Sequence, residues 1–453
     1  MNIVISARRY IQPLIGGVDV YANRLGRALQ RMGHDVTILA IDTAPSSNGR
    51  SISISKDESN GMNIVRFWKS EHLFQDTNAL GFDPDMEEAV RALFLELKPD
   101  VFIVLNFYLL TLAPVQVAKE MGIPVVHIVT DFVPVCRRAT FIRWDGEPCL
   151  EGESIHSCSA CFVSHHPVGQ AVSALMKNVP EEKLVRMAKK YETVKKPHPL
   201  GFLHTYWKNV SLMEQRLKNL GSLRHSIDVV LAPTRYTYDI FCENGFRPDQ
   251  VHLLPFGSEA EHTPVEKPAP ADHVRFLFIG RFQPYKGAHL LVEAFNRMND
   301  PKGATLTLYG APDGYESYFQ NLKAVMDKSE RVHYGGRLDP ADLGQAFSEA
   351  DYFVLPSTWP ENSPLVLLNA LESGTPVIAS QIGGVTDLVT NGVNGLLYPM
   401  GDTEALQAVL QRAIDQPELG EKLRNGIQLP QIEEYARTLI GLIEAGERIV
   451  DIQ

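Results

Sequence analysis

The sequence predicts an α/β protein built from two doubly wound parallel sheets, and three observations carry that expectation. Short apolar runs rich in Val, Ile and Leu alternate with segments of helical periodicity from one end of the chain to the other. The runs lack the in–out alternation of half-exposed strands, as befits parallel strands covered on both faces. A stretch rich in Pro, Ala and acids, 257–273, splits the alternation into two halves and reads as a linker between two domains.

Strand candidates in the first half are 2–7, 35–41, 63–68, 101–106, 125–130, 229–234 and 251–256. Those of the second half are 275–280, 305–310, 352–357, 376–380 and 395–399. Over 17–32, Val18, Tyr21, Leu25, Ala28, Leu29 and Met32 recur at helical spacing, and Gly33 supplies the stop. Segment 364–373 begins with Ser363 as N-cap and Pro364 at the first helical position, and ends at Gly374. Residues 101–118 pass without a charge, the minimum length of a membrane-span candidate. Asn106, Thr111, Pro114 and Gln116 interrupt them, so a strand, a turn and a helix start fit better. The domains expected are 1–256 and 274–430, with a C-terminal amphipathic helix in 431–453 free to cross back over the first domain.

Residues 162–225 break the alternation with a helical, basic insertion. Over 177–225 there are eleven Lys/Arg against four Asp/Glu. Tyr206, Val210, Met213, Leu217 and Leu220 share one helical face. Two readings stand: a packed helix pair with a solvated basic side, or a surface for an anionic membrane or acceptor.

The 453 residues carry 43 Lys+Arg against 54 Asp+Glu, a net charge of −11, with 44% apolar and 21% charged residues. That composition is ordinary for a globular protein and excludes disorder, a collagen repeat and a small disulfide scaffold. The acidic balance argues against a nucleic-acid binder. The first residues, MNIVISARRYI, lack the charged and apolar regions of a signal peptide, so a cytoplasmic location is expected.

Two segments carry chemistry. GRFQPYKG, 280–287, follows a strand directly and puts Arg281 and Lys286 where α/β domains bind ligands. Two cations there can hold a diphosphate and offset its charge as it leaves. In PSTWPENSPLVLLNALESGTPVIASQIGGVTDLV, 356–389, Glu361 precedes a Pro-started helix whose free N–H groups suit phosphate. A carboxylate beside that helix can accept bonds from sugar hydroxyls.

Together with GGVDVYANRLGRALQRMGHDVTILA (16–40), ADYFVLPS (350–357), PLVLLNALESGTPVIAS (364–380) and NGVNGLLYP (391–399), these segments resemble the family-four glycosyltransferases of the GT-B fold. The resemblance runs over most of the chain. It implies two Rossmann-like domains facing a central cleft, a nucleotide sugar (UDP- or GDP-linked) held mainly by the second, and an acceptor on the first. It implies transfer with retention of anomeric configuration and no required metal. Gly16 and Gly17 match the glycine turn that opens the first helix. Arg281 and Lys286 match the diphosphate-binding pair, and Glu361 the first acid of the family's Glu-x7-Glu motif. Pro364, Leu365 and Val366 form the helix start that faces phosphate. Gly336 and Arg337 stand where the family packs the base.

Two positions depart from the pattern. The second acid falls at Asn369, whose amide carbonyl can take only part of the bonding expected to the two ribose hydroxyls; Glu372, one turn on, substitutes only if the ribose shifts. In 125–136, Thr130-Asp131 stands where relatives show His-Asp. Thr130 cannot act as a base. His127 lies three residues earlier, on the opposite strand face, and reads as a core or wall histidine. Asp131 is the candidate acceptor-facing carboxylate, or else a turn cap.

Cys136, Cys149, Cys158 and Cys161 follow the spacing C-x12-C-x8-C-x2-C. They offer four thiolates for a structural zinc or an iron–sulfur cluster, or are reduced, packed thiols. His156, His165 and His166 are alternative ligands, and Cys242 reads as core. A related Cys-containing loop marks a subset of the family. The function expected is a retaining glycosyltransferase acting on a glycan or lipid-linked acceptor, with 177–225 as the peripheral membrane contact. The rival from another class is a non-catalytic nucleotide- or sugar-binding protein, for which Thr130 and Asn369 speak.

Overall fold

The computed structural model describes residues 1–14, 16–44, 52–59, 61–70, 80, 81, 83–107, 110–147, 149, 152–163, 167–193, 201–259, 273–299 and 303–450. Its strands are β1 (Asn2–Ala7), β2 (Asp35–Ala44), β3 (Ile52–Ser59), β4 (Met62–Ser70), β5 (Val101–Val104), β6 (Val125–Ile128), β7 (Val229–Ala232) and β8 (Val251–Leu253). They continue with β9 (Arg275–Ile279), β10 (Thr305–Tyr309), β11 (Val332–Tyr334), β12 (Tyr352–Leu355), β13 (Val377–Gln381) and β14 (Gly395–Pro399). The helices are α1 (Gly17–Arg31), α2 (Pro84–Leu97), α3 (Ala113–Glu120), α4 (Ile155–Val163), α5 (Pro167–Met176), α6 (Glu181–Thr193), α7 (Gly201–Ser226) and α8 (Arg235–Glu243) in the first half. In the second they are α9 (Ala288–Asn296), α10 (Glu316–Met326), α11 (Leu343–Glu349), α12 (Leu365–Glu372), α13 (Val385–Leu388), α14 (Thr403–Asp415), α15 (Glu418–Asn425) and α16 (Ile432–Val450).

The strands form two sheets, ordered β3-β4-β2-β1-β5-β6-β7-β8 and β11-β10-β9-β12-β13-β14. All pairings are parallel except β3 with β4. Each order reverses once, at β1/β5 in the first sheet and β9/β12 in the second. Such switch points open a crevice at the carboxyl ends of the strands. Neighbouring residues of one strand enter opposite cores: Val4 joins one cluster while Ile3 and Ile5 join the other. The second sheet does the same with Phe276 and Leu277. That two-sided burial is why these runs are continuously apolar.

Two strands lie outside the sequence expectation. The β3 segment, ISISKDES, is an antiparallel edge strand with charged residues in its second half, and β11 has only three residues. Within 101–118, β5 takes up Val101–Val104 and α3 starts at Ala113, while residues 108 and 109 lie outside the described residues. Among the described residues no helix is long and apolar enough to cross a membrane.

The apolar face of α7 packs with α4, α5 and α6 around Tyr206, Val210 and Met213. Most of the expected linker, 260–272, lies outside the described residues. Where it starts, Ser258 donates to Pro430 O (2.8 Å) and accepts at its own carbonyl from Ile432 N (2.9 Å), so two crossing segments run side by side. Helix α16 then returns to the first domain, where Tyr435, Ala436 and Leu439 join the core beneath α1.

Candidate active site at the facing strand ends

At the switch point of the second sheet, the loop after β9 and the loop after β12 are locked together. Gly287 has φ +72°, and a Cβ on it would lie 1.8 Å from Pro356 O, so only glycine lets the two loops touch. Thr358 N donates to Tyr285 O at 2.8 Å. Lys286 Nζ donates to Glu361 Oε1 at 2.7 Å, and Ser357 Oγ donates to the same oxygen at 2.7 Å. The Lys286 ammonium also lies 4.5 Å from the Trp359 ring centroid. Glu361 is 3% exposed. Its Oε2 makes no hydrogen bond with a described residue, which leaves one carboxylate oxygen for a ligand hydroxyl.

A second glycine turn fixes the backbone of Glu361. Gly384 N donates to Glu361 O (2.8 Å), and a Cβ on Gly384 would meet Asn362 O at 1.6 Å. Asn362 reaches across the cleft: its Nδ2 donates to Val129 O (3.0 Å), and its Oδ1 accepts from Thr237 Oγ1 (2.5 Å). Helix α12 begins at Leu365 with Pro364 at the cap, one residue later than expected. Ser363 is not the cap; its buried hydroxyl makes no hydrogen bond. The N–H groups of Leu365 and Val366 stand at the start of α12, where anions are favoured.

The first domain meets this helix through Gly17, whose Cβ would stand 3.4 Å from Leu365 Cδ1. Gly16 is different. It caps α1 at φ −74°, a conformation open to any residue, and a Cβ there would only touch Asp19 Oδ2 at 3.4 Å.

The expected cation pair divides. Lys286 is held by Glu361, whereas Arg281 is exposed and makes no ion pair with a described residue. Gly336 has φ +79° and accepts at its carbonyl from Gly310 N (2.8 Å). Arg337 is exposed and paired with Asp313 (2.9 Å).

Asn369 Oδ1 lies 3.4 Å from Arg24 Nη2, and Glu372 is bound bidentately by the same guanidinium (2.7 and 3.1 Å). Glu372 is therefore committed elsewhere and is not a stand-in for a ribose carboxylate.

On the acceptor side, Asp131 Oδ1 accepts from Val133 N (2.9 Å), a turn cap that leaves Oδ2 over. Burial raises its pKa to about 6, against the Val133 N–H and the Arg8 charge. Thr130 Oγ1 donates to Leu105 O. His127 is fully buried, with Nδ1 2.9 Å from Val104 O and its ring against Phe107 and Phe241. Burial lowers its pKa to about 4, so it stays neutral, as a core histidine.

Cys136, Cys149, Cys158 and Cys161 line one cavity of about 280 Å³ together with Arg137, Arg138 and Phe162. None forms a disulfide. Burial raises the thiol pKa of Cys136 and Cys161, and that of Cys158 to about 12. Among the described residues no group of three or more His, Cys, Asp or Glu side chains stands ready to hold a metal ion. His165 and His166 lie outside the described residues. Cys242 is half-buried against the core from α8.

Two doubly wound domains with a cation–carboxylate site at the second switch point define a GT-B architecture. Solved structures agree on the fold. Sucrose-phosphate synthase from Thermosynechococcus elongatus superposes with TM-score 0.63 at 20% identity, over 98% of this chain and 99% of that one. Anabaena Alr3699/HepE in complex with UDP and glucose gives 0.63 at 15% identity, over 98% and 99%.

In sequence, residues 16–188 match a glycosyl transferase 4-like domain, and residues 260–428 match the glycosyl transferases group 1 domain. Two glycosyl transferase domain matches thus divide the chain between them, one in each half. The D-inositol 3-phosphate glycosyltransferase of Jonesia denitrificans is 35% identical over 157 residues, 33% of this chain and 37% of that protein. That of Acidothermus cellulolyticus is 26% identical over 264 residues, 52% and 58% respectively. The chain thus spans about one third to three fifths of these relatives' length.

Several contributors had no legible signal. Ser357 and Trp359 flank Glu361 but read as ordinary loop residues. Gly383-Gly384 meets the Glu361–Asn362 backbone, which is distant from it in sequence. Arg24 lies on the face of α1 that sequence periodicity assigns no chemistry.

Proposed function

We propose that the protein is a retaining glycosyltransferase that moves a sugar from a UDP- or GDP-linked donor to a hydroxyl of a glycan or lipid-linked acceptor. The observation that carries this reading is the Lys286–Glu361 pair beside the start of α12, with Gly17 facing that start across the cleft. Lys286, Arg281 and the N–H groups of Leu365 and Val366 supply positive charge for a departing diphosphate. Glu361 Oε2 is the remaining acceptor for a sugar hydroxyl. Gly336 and Arg337 border the base. The sugar passes through an oxocarbenium-like state, and the acceptor hydroxyl enters on the same face and gives its proton to the leaving phosphate. Two cations, Lys286 held by Glu361 and the exposed Arg281, do the electrostatic work, so the scheme requires no metal. UDP and glucose in the Anabaena neighbour support a nucleotide-sugar donor. A non-catalytic binding protein is not favoured, because it has little use for a leaving-group cation beside a sugar-facing carboxylate.

Incubation with UDP-, GDP- and ADP-sugars, following free nucleotide diphosphate, tests the reading. Release with one donor, reduced about a hundredfold or more in Arg281→Ala, is expected. Saturable binding of every nucleotide without release, with or without glycan and lipid-linked acceptors, sinks it.

In this reading Asp131 orients the acceptor as a carboxylate. With its pKa raised to about 6, the acid is protonated in the folded chain at pH values where the unfolded chain is ionised. Its contribution to stability is present below the ordinary Asp pKa and fades as pH rises through 6. Turnover is therefore expected to climb between pH 5 and 7. Asp131→Asn should flatten that limb while leaving stability at pH 8 equal or higher. An unchanged pH profile in the variant removes Asp131 from the acceptor site.

The cysteine cavity supports a smaller proposal, a structural zinc. Four thiols face one space, and the backbone N–H groups of Arg138, Thr140 and Phe141 are directed at the Cys136 sulfur, as they are at metal-bound thiolates. Zinc would draw the thiols together, since they are not at ligand geometry beforehand. One zinc per chain is expected, exchangeable for cobalt with a thiolate charge-transfer band that Cys158→Ser abolishes. A metal-free protein with five titratable thiols, or a visible iron–sulfur chromophore, overturns it.

The insertion's exposed Lys177, Lys183, Lys189, Lys190 and Lys208, together with a Leu175 that is 76% exposed, support peripheral contact with the cytoplasmic face of an anionic membrane. Failure to sediment with phosphatidylglycerol vesicles at low salt would dismiss it.

A further inference from the structure

A buried charge cluster joins the two domains beneath the candidate donor site. Arg24, 4% exposed, projects from α1 of the first domain. It binds Glu372, the last residue of α12 in the second, through Nη1 to Oε1 (2.7 Å) and Nη2 to Oε2 (3.1 Å). The Glu372 side chain is 1% exposed. Arg24 Nη1 also reaches Gly257 O, and Nη2 reaches Asn369 Oδ1, both at 3.4 Å. From the start of the linker, Glu259 N donates to Glu372 Oε1 (3.2 Å), and Glu259 Oε2 stands 3.9 Å from Arg24 Nε. Its other oxygen, Oε1, is buried without a hydrogen bond to a described residue. The guanidinium from the first helix therefore serves two carboxylates, a side-chain amide and a backbone carbonyl, drawn from the start of the linker and from α12. Among the described residues the cluster carries one positive and two negative charges.

This charge count decides what residue 369 can be. Asn369 lies one turn before Glu372 on the same face of α12 and meets the same guanidinium. Its Oδ1 is turned to Arg24, so the end left for a ligand is the Nδ2 donor. A carboxylate there would be the third acid on one cation in a space that already leaves one carboxylate oxygen unbonded. We infer that Arg24 is a positioning residue of the donor site: with Glu372 and Glu259 it clamps α12 to the first domain and presents Asn369 to the nucleotide as a hydrogen-bond donor. The inference rests on the donor-site reading above, and deepens it. The nucleotide's sugar is held at this point through an oxygen that accepts from an amide, not through a diol that donates to a carboxylate.

The consequence runs against the simplest expectation. Asn369→Glu, which installs the acid a diol would call for, should weaken nucleotide binding, by about tenfold. It should do so because the introduced carboxylate removes the amide donor and also competes with Glu372 for Arg24. Asn369→Glu combined with Glu372→Gln removes the competition and should return the unfolding midpoint to near that of the parent, while nucleotide affinity stays low because the amide donor is still missing.

Calorimetric titration of the full chain with UDP, GDP and ADP, beside thermal unfolding of the same proteins, tests this. The expected result is weaker nucleotide binding and a lower unfolding midpoint for Asn369→Glu, with the midpoint recovered in the double variant and the binding not. Equal or tighter nucleotide binding by Asn369→Glu overturns the inference. If the parent binds none of the three nucleotides, the donor-site reading fails on its own. The clamp is then judged by the midpoints: identical values for parent, single and double variants overturn it too. Asn369 is partly exposed, so the single variant folds more readily than one at Arg24.

Discussion

Lys286→Ala is expected to lower donor turnover about a thousandfold, more than any other single change at the candidate site. Two losses add. The first is the cation facing the departing diphosphate. The second is the stranding of Glu361, which is 3% exposed and would keep only the Ser357 hydroxyl on Oε1. Breaking a buried pair by deleting one partner costs about 3–5 kcal/mol in general. The Lys286 side chain is 18% exposed, so the lower part of that range applies. The stranded carboxylate also puts a negative charge where an anionic ligand must come. Glu361→Gln should be milder, about ten- to a hundredfold, because an amide keeps hydrogen bonds to Lys286 and Ser357. Adding Glu361→Gln to Lys286→Ala should therefore recover about tenfold in kcat/KM. A double variant no better than Lys286→Ala would mean that the two side chains act independently. The Trp359 ring adds a smaller term, about 0.5–1 kcal/mol of cation–π attraction that Trp359→Leu would remove.

The parts of this site that were legible in the sequence are those whose chemistry is local. GRFQPYKG follows its strand directly, and Glu361 lies four residues ahead of its helix, so strand ends and helix starts located them. The two-sheet architecture was legible for a related reason: strands buried on both faces cannot alternate, and their apolar runs stand out. Illegible elements had no such constraint. The edge strand β3 has one open side and tolerates Lys56, Asp57 and Glu58, while β11 is too short to show a period. Arg24 and Glu372 are 348 residues apart, and neither is unusual on an amphipathic helix. Only the folded chain shows that Glu372 is spent on Arg24, which removes it as a ribose ligand and gives Asn369 its orientation. The cap of α12 slipped by one residue because Ser363 and Pro364 both suit a helix start, and the tertiary turn at Gly383-Gly384 holds the preceding backbone.

Gly287→Ala is the second large effect, and its size comes from backbone geometry, not charge. Gly287 and Gly401 share nearly one conformation, φ +72° and +76°. A left-handed conformation costs an alanine about 1–2 kcal/mol at either position. They differ in surroundings. A Cβ on Gly401 meets nothing within 4 Å, whereas one on Gly287 would lie 1.8 Å from Pro356 O and 3.3 Å from Pro356 Cβ. A backbone carbonyl in a loop held by Thr358 N and Gly384 N has little room to retreat. The loops must part, and Lys286 and Glu361 part with them, because they sit on either side of that contact. Gly401→Ala should cost about 1 kcal/mol and leave turnover unchanged. Gly287→Ala should cost about 3 kcal/mol or more and abolish nucleotide binding before the domain unfolds. Thermal unfolding and nucleotide titration of both variants separate strain from clash. If they lose equal stability and both bind nucleotide, the β9 and β12 loops yield easily, and the Lys286–Glu361 pair does not depend on their contact.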